Sequence, residues 1–270
     1  VSQEDVSTVI TEGTRITTET GTTETEVYTH AKQLAENTKG LVVATFPVRD
    51  LTRLTTFHKI ACETGRKLVI DFNQAYLLEQ YKQFSNRYPG SDDPNICIYA
   101  SRKSWGLAGR KDVESNIPGV DYPEKIVDQD YATWQREYLH RDNIINYLDL
   151  QDQNEYIMVC SYFQLNQLID VKPVPGSKYL RSITEPFSDE MRLDAERVQN
   201  WLDLLKLDLH GMGVEDKLPA SGHASGREVK ETMEKINPKM IIPIHTDEPK
   251  HLKQYFDTIK LPKYGSTITL

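Results

Sequence analysis

The 270 residues are 38% hydrophobic and 27% charged, enough apolar material for one large domain or two modest ones. A net charge of −8 excludes a surface that coats nucleic acid without specificity, although local positive charge or bound metal would still serve a nuclease. No stretch approaches the roughly 20 apolar residues of a membrane span, and the opening VSQEDVSTVI has neither the basic nor the apolar region of a signal peptide.

Taken in chain order, VSTVI (6–10) reads as a short strand followed by a turn, TEGTR. The Thr-rich run 16–26 reads as a solvated loop, and 24–37 as a helix with Val27, Ala31, Leu34 and Ala35 on one face. LVVATF (41–46) is an apolar run of strand length. A helix pattern over 49–64 follows, closed by Gly65, and KLVIDF (67–72) is a second strand. Strand, helix and strand at this spacing imply a parallel sheet with both faces covered. Further elements are a helix at 75–84, a strand at 95–100, an irregular stretch 101–125, a helix at 131–148 and a strand at 155–162. Then come a short helix (FQLNQLID), the turn VKPVPGS, a strand at 178–183 and a helix at 189–205 with Ser188 as N-cap. Residues 40 to about 172 read as a doubly wound α/β layer, with the chain ends forming a unit that this layer interrupts.

Three widely spaced cysteines (Cys62, Cys97, Cys160) show no zinc-ligand spacing and read as buried free thiols of a reducing, cytoplasmic compartment. The chain begins without Met and is expected to be a piece of something longer.

The chemistry gathers in SGHASGREVKETMEKINPKMIIPIHTDEP (221–249). His223 stands before a helix over about 226–236, capped by Ser225 and ended by Asn237-Pro238; His245 ends the strand KMIIPIH. A strand before Ser221 would put both imidazoles on one edge of a sheet. Ser221, Gly222 and the free N–H groups of the helix start would add an anion site beside them. On the residues alone, the pair reads equally well as ordinary polar side chains. His30, His58, His140, His210 and His251 read as structural or surface groups. Arg102, Lys103, Trp105, Arg110 and Lys111 mix charge with an aromatic ring, as a nucleic-acid contact would, but also read as a solvated loop.

SGHASG…INPKMIIPIHT resembles the C-terminal part of the metallo-β-lactamase nucleases that carry a β-CASP insertion: ribonuclease J, the mRNA 3′-end cleavage factors and the Artemis-type DNA nucleases. VITEGTR looks like the acidic motif before the insertion. LVVATFPVRDLTRLTTFHKIACETGRKLVI looks like the first βαβ of the insertion, and YLRSITEPFSDEMRLDAERVQNWL like the return from it. The ribonuclease J-like branch is the nearest in flavour. The resemblance implies an α/β fold, with a parallel sheet flanked by helices (28–178) inserted in the C-terminal portion of a metallo-β-lactamase fold (1–27 and 179–270). It implies His223 as general acid, Glu12 as the acid that orients it, His245 as a ligand of the second zinc, and Ser221, Gly222 and Ser225 as phosphate contacts. Two zinc ions would serve the complete protein, which would cleave RNA, or alternatively DNA, as an endo- or exonuclease.

The sequence also departs from the family. The zinc motif HxHxDH is absent, as are the later His and the bridging Asp, so the zinc site is expected to be missing or incomplete here. The expected partner is an N-terminal metallo-β-lactamase segment that supplies them. Pro219 stands where the ribonuclease J pattern often has a His. The alternative reading is a metal-free module for nucleic-acid binding or homodimer contacts.

Overall fold

The computed structural model describes residues 6–19, 21–103, 130–184, 186, 188–212 and 216–268. The chain forms two compact units, one of residues 24–219 and one of residues 1–23 with 220–270.

The larger unit is built on a seven-stranded sheet in the order β5-β4-β3-β6-β2-β7-β8. Its strands are β2 (Val42–Thr45), β3 (Lys67–Ile70), β4 (Ile96–Tyr99), β5 (Ile144–Ile145), β6 (Tyr156–Val159), β7 (Lys178–Arg181) and β8 (Asp208–His210). All are parallel to their neighbours. The central strands are apolar at nearly every position, Lys67 and Thr45 excepted, because side chains alternate between two covered faces. Val42, Ala44, Leu68 and Ile70 enter one core with Leu54, Phe57 and Leu78. Val43 and Val69 enter the other with Leu165, Leu168 and Leu202. The first face carries α1 (Glu24–Glu36), α2 (Leu51–Glu63) and α3 (Phe72–Lys82); the short α4 (Thr133–Arg136) follows β4. The second carries α5 (Leu168–Val171) and α6 (Asp189–Leu205). Aspartates cap α2 and α3, Asp50 accepting from the Arg53 N–H at 2.9 Å and Asp71 from that of Gln74 at 2.8 Å. Ser188 caps α6, accepting from the Met191 N–H at 3.2 Å.

Three sequence expectations change. The helix expected over 131–148 is only α4; Ile144 and Ile145 instead pair with Ile98 and Tyr99 and extend the sheet. The amide of Asn143 donates to the carbonyls of Ser91 and Ile96 and draws this segment alongside β4. The doubly wound layer runs past 172, because β7, α6 and β8 complete its sheet and second face. Residues 179–219, grouped by sequence with the C-terminal part, therefore lie in the larger unit. Finally, Cys97 and Cys160 are buried but Cys62 is exposed.

The smaller unit pairs β1 (Thr8–Glu12) with β9 (Met240–Ile244) in parallel, Glu12 opposite Ile244. The helix α7 (Gly226–Ile236) places Val229 and Met233 in a core with Ile16, Ile241 and Leu252. Asn237 ends α7 in the left-handed conformation, its N–H returning to Met233 O at 2.8 Å, and Pro238 follows. The parallel neighbour of β9 is β1 rather than a strand leading into Ser221, so it is Glu12 and His245 that emerge side by side from one sheet edge. No helix among the described residues is long and apolar enough to cross a membrane.

Candidate functional site

Register places the first two groups. Because Glu12 ends β1 opposite Ile244, the next residue of β9, His245, lies beside the turn that follows Glu12. Gly13 donates its N–H to Ile244 O at 3.1 Å. A β-carbon at Gly13 would lie 3.1 Å from Thr246 Cβ, so glycine permits this close approach. His245 has φ of 49°, a left-handed backbone that costs a non-glycine residue about 1 kcal/mol or more. Strain of this kind persists where surrounding contacts fix it. Here Thr14 Oγ1 lies 2.9 Å from His245 Nδ1 and 3.2 Å from His245 O.

The loop before α7 brings the third group. Gly226 N donates to Arg15 O at 3.1 Å and Thr18 O at 2.9 Å, which ties the start of α7 to the turn after β1. Ala224 N then donates to Glu12 Oε1 at 3.1 Å, and His223 Nδ1 lies 3.3 Å from Glu12 Oε2. The rings of His223 and His245 are 5.7 Å apart. One ligand atom from each of Glu12, His223 and His245 lies within 4.8 Å of the others. The His223 side chain is 43% exposed, so the cluster opens to solvent.

Burial acts to raise the Glu12 pKa. The Thr14 hydrogen bonds, the neighbouring His223 and the Ala224 N–H outweigh it, and the carboxyl titrates below its ordinary value of 4.5. Glu12 is thus a held carboxylate at neutral pH. Two imidazoles and a carboxylate are also a donor set that suits zinc. The sequence offered His245 as a lone ligand; the fold gathers it with Glu12 and His223, which already face each other as an ion pair at 3.3 Å.

The phosphate contacts expected from sequence fare differently. Ser221 Oγ accepts the His223 N–H at 3.2 Å, and Gly222 is exposed, with nothing within 4 Å of an added β-carbon. Ser225 is 2% exposed, and its capping box occupies it. Its N–H and Oγ both donate to Glu228 Oε2, at 2.8 and 2.7 Å. The carboxylate of Glu228 thus stands at the start of α7, where an anion was expected, because the Ser-x-x-Glu pattern caps the helix from within. Thr14 was missed by sequence reasoning. The signal was present, a hydroxyl two residues beyond the acid of TEGTR, but its partner is 231 positions away.

Elsewhere, Arg102 pairs with Asp170 at 3.3 Å and the Lys103 ammonium lies 5.4 Å from the centroid of the Tyr131 ring; Trp105, Arg110 and Lys111 lie outside the described residues. Two of the histidines read as structural have carboxylate partners, His58 with Asp93 at 3.1 Å and His210 with Asp208 at 3.0 Å.

Among solved structures, the fold is similar to that of a protein of unknown function from Enterococcus faecalis V583. The two are 19% identical, with a TM-score of 0.58 over 93% of this chain and 46% of that one. This chain therefore spans about half the length of that relative. No curated protein matches the chain. Residues 212–264 match the family model described as the Zn-dependent metallo-hydrolase RNA specificity domain, and this matched segment contains both His223 and His245.

Proposed function

We propose that the chain is part of a zinc-dependent nuclease of the ribonuclease J-like kind, hydrolysing phosphodiester bonds in RNA. The observation that carries this reading is the convergence of Glu12, His223 and His245, which come from two segments far apart in the chain. Their convergence agrees with the match of the second segment to an RNA specificity domain. In this reading the larger unit, residues 24–219, is a β-CASP-type insertion between the two parts of a metallo-β-lactamase-like domain.

The roles follow from donors and acceptors. His223 Nδ1 lies 3.3 Å from Glu12 Oε2, an ion-pair contact by which the carboxylate orients the ring and leaves Nε2 to deliver a proton to the departing oxygen. Glu12 is itself fixed by the N–H groups of Thr14 and Ala224, so the ring it holds is held firmly. His245 serves as a metal ligand, and Ser221 with the backbone at Gly222 faces the phosphate. Zinc, when bound, supplies charge neutralisation at phosphorus and activation of the nucleophile.

The test joins this chain to a segment bearing HxHxDH and follows end-labelled RNA, and DNA of the same sequence, in zinc or manganese. His223→Ala is expected to lower kcat about 10²–10⁴-fold with metal content unchanged. His245→Ala is expected to lower metal content as well as rate. Cleavage at full rate by either variant overturns the assignment. RNA binding without cleavage favours the metal-free module.

A further inference from the structure

We infer that Thr14 is a positioning residue: it fixes His245 in the tautomer protonated at Nδ1 and so presents Nε2 as the metal-binding atom. The inference deepens, and rests on, the reading of His245 as a ligand.

Thr14 Oγ1 contacts two atoms of the same residue, His245 O at 3.2 Å and His245 Nδ1 at 2.9 Å. A hydroxyl has one hydrogen to donate, and a carbonyl oxygen accepts only. The hydroxyl hydrogen therefore goes to an oxygen that can only accept, His245 O or the neighbouring Glu12 carboxylate. Oγ1 is left with lone pairs for Nδ1, and Nδ1 must carry the hydrogen of that bond. A neutral imidazole protonated at Nδ1 has its free lone pair on Nε2, one of the two forms in which histidine binds zinc. A metal-binding histidine commonly has its other nitrogen bonded in just this way, which sets both tautomer and ring orientation.

Thr14 is itself fixed. Its N–H donates to Glu12 Oε2 at 2.9 Å, and the turn it occupies is closed by Ile16 N to Gly13 O at 3.2 Å. One residue therefore bonds both the carboxylate and the imidazole of the cluster, through its main chain and its side chain. With φ of 49°, the backbone of His245 offers its carbonyl and its ring to the same hydroxyl.

Thr14 is exposed, so Thr14→Val removes the hydroxyl without emptying a core, and Thr14→Ser keeps it. The full chain is labelled with ¹⁵N-histidine, and the tautomers are read from long-range ¹H–¹⁵N correlations at about pH 8, with His245→Ala assigning the ring. The expected result is protonated Nδ1 at His245 in the wild type and in Thr14→Ser, and a shift toward protonated Nε2 in Thr14→Val. Protonated Nε2 in the wild type, or a Thr14→Val spectrum identical to it, overturns the inference. Zinc titration of the same samples is expected to show affinity falling about 10–100-fold in Thr14→Val and retained in Thr14→Ser. If His245→Ala weakens zinc binding and Thr14→Val does not, positioning by Thr14 is overturned while the ligand reading stands. If His245→Ala binds zinc as tightly as the wild type, the ligand reading fails, and with it the role of Nε2.

Discussion

A β-carbon added at position 226 would sit 2.0 Å from the carbonyl oxygen of Ile16, and one added at position 222 would meet nothing within 4 Å. The two glycines stand four residues apart in SGHASG and look alike in sequence. Only Gly226 lies under the turn that carries Glu12 and Thr14, where its N–H bonds Arg15 O and Thr18 O. Gly226→Ala must push that turn away, losing both bonds and disturbing the core position of Ile16. It is expected to cost about 2–3 kcal/mol, and Gly222→Ala to stay within about 0.5 kcal/mol. Urea unfolding of the two variants, with m-values compared, checks the contrast; equal losses would mean that the turn does not rest on the helix start. The histidines of this segment were legible because SGHAS and PIHT form a recognisable pattern. Thr14 was not, because its role follows from the β1–β9 register, which no local pattern states.

At the scale of elements, the strands β2, β3, β4, β6 and β7 could be read directly, since burial on both faces favours short, largely apolar runs, even where Lys67, Lys178 and Arg181 stand at their ends. β5 and β8 could not. Two and three residues long, they form by pairing with an existing edge rather than through their own propensity. A second feature invisible to periodicity joins α1 to α2. Arg53, 2% exposed, donates through Nε and Nη2 to Glu24, with the nearest contacts at 3.0 Å, and through Nη1 to Ser182 O at 3.0 Å. Burial acts to raise the Glu24 pKa, but hydrogen bonds from Arg53 and Thr56 and the charge of Arg53 carry it below its ordinary value of 4.5. A carboxyl whose folded pKa is depressed stabilises in full above its unfolded pKa, and this is lost as pH falls through the folded value. Glu24→Gln leaves a buried guanidinium without its counter-charge. Losing a buried partner costs about 3–5 kcal/mol; because Glu24 is a third exposed, about 2 kcal/mol is expected at pH 7. The gap between variant and wild type should narrow as pH falls below the ordinary value of 4.5 and close once pH passes the depressed folded value, where the native side chain is also neutral. Denaturation curves at pH 7 and near pH 3.5 measure it. A gap that stays constant with pH would assign the loss to packing instead.

At the scale of the whole molecule, each unit has its own core. Both apolar clusters of the seven-stranded sheet, from Ala31 to Leu218, draw only on residues 24–219. The smaller unit buries Ile16, Val229, Met233, Ile241 and Leu252 between segments taken from the two chain ends. Its strands also leave Ile10 and Ile244 58% and 46% exposed. Stability grows with apolar area removed from water, and a small core must offset the ordering of a chain drawn from two distant pieces. The units should therefore differ in autonomy. Residues 24–219 expressed alone are expected to fold, giving dispersed amide resonances and a single cooperative urea transition. Residues 1–23 joined by a short flexible linker to 220–270 are expected to give narrow dispersion and a broad melt, and to lose the hydrogen bond between His245 and Thr14. If the joined ends instead unfold cooperatively, and the 24–219 fragment does not, the seven-stranded sheet depends on its flanking segments, and the two-core account of the chain is wrong.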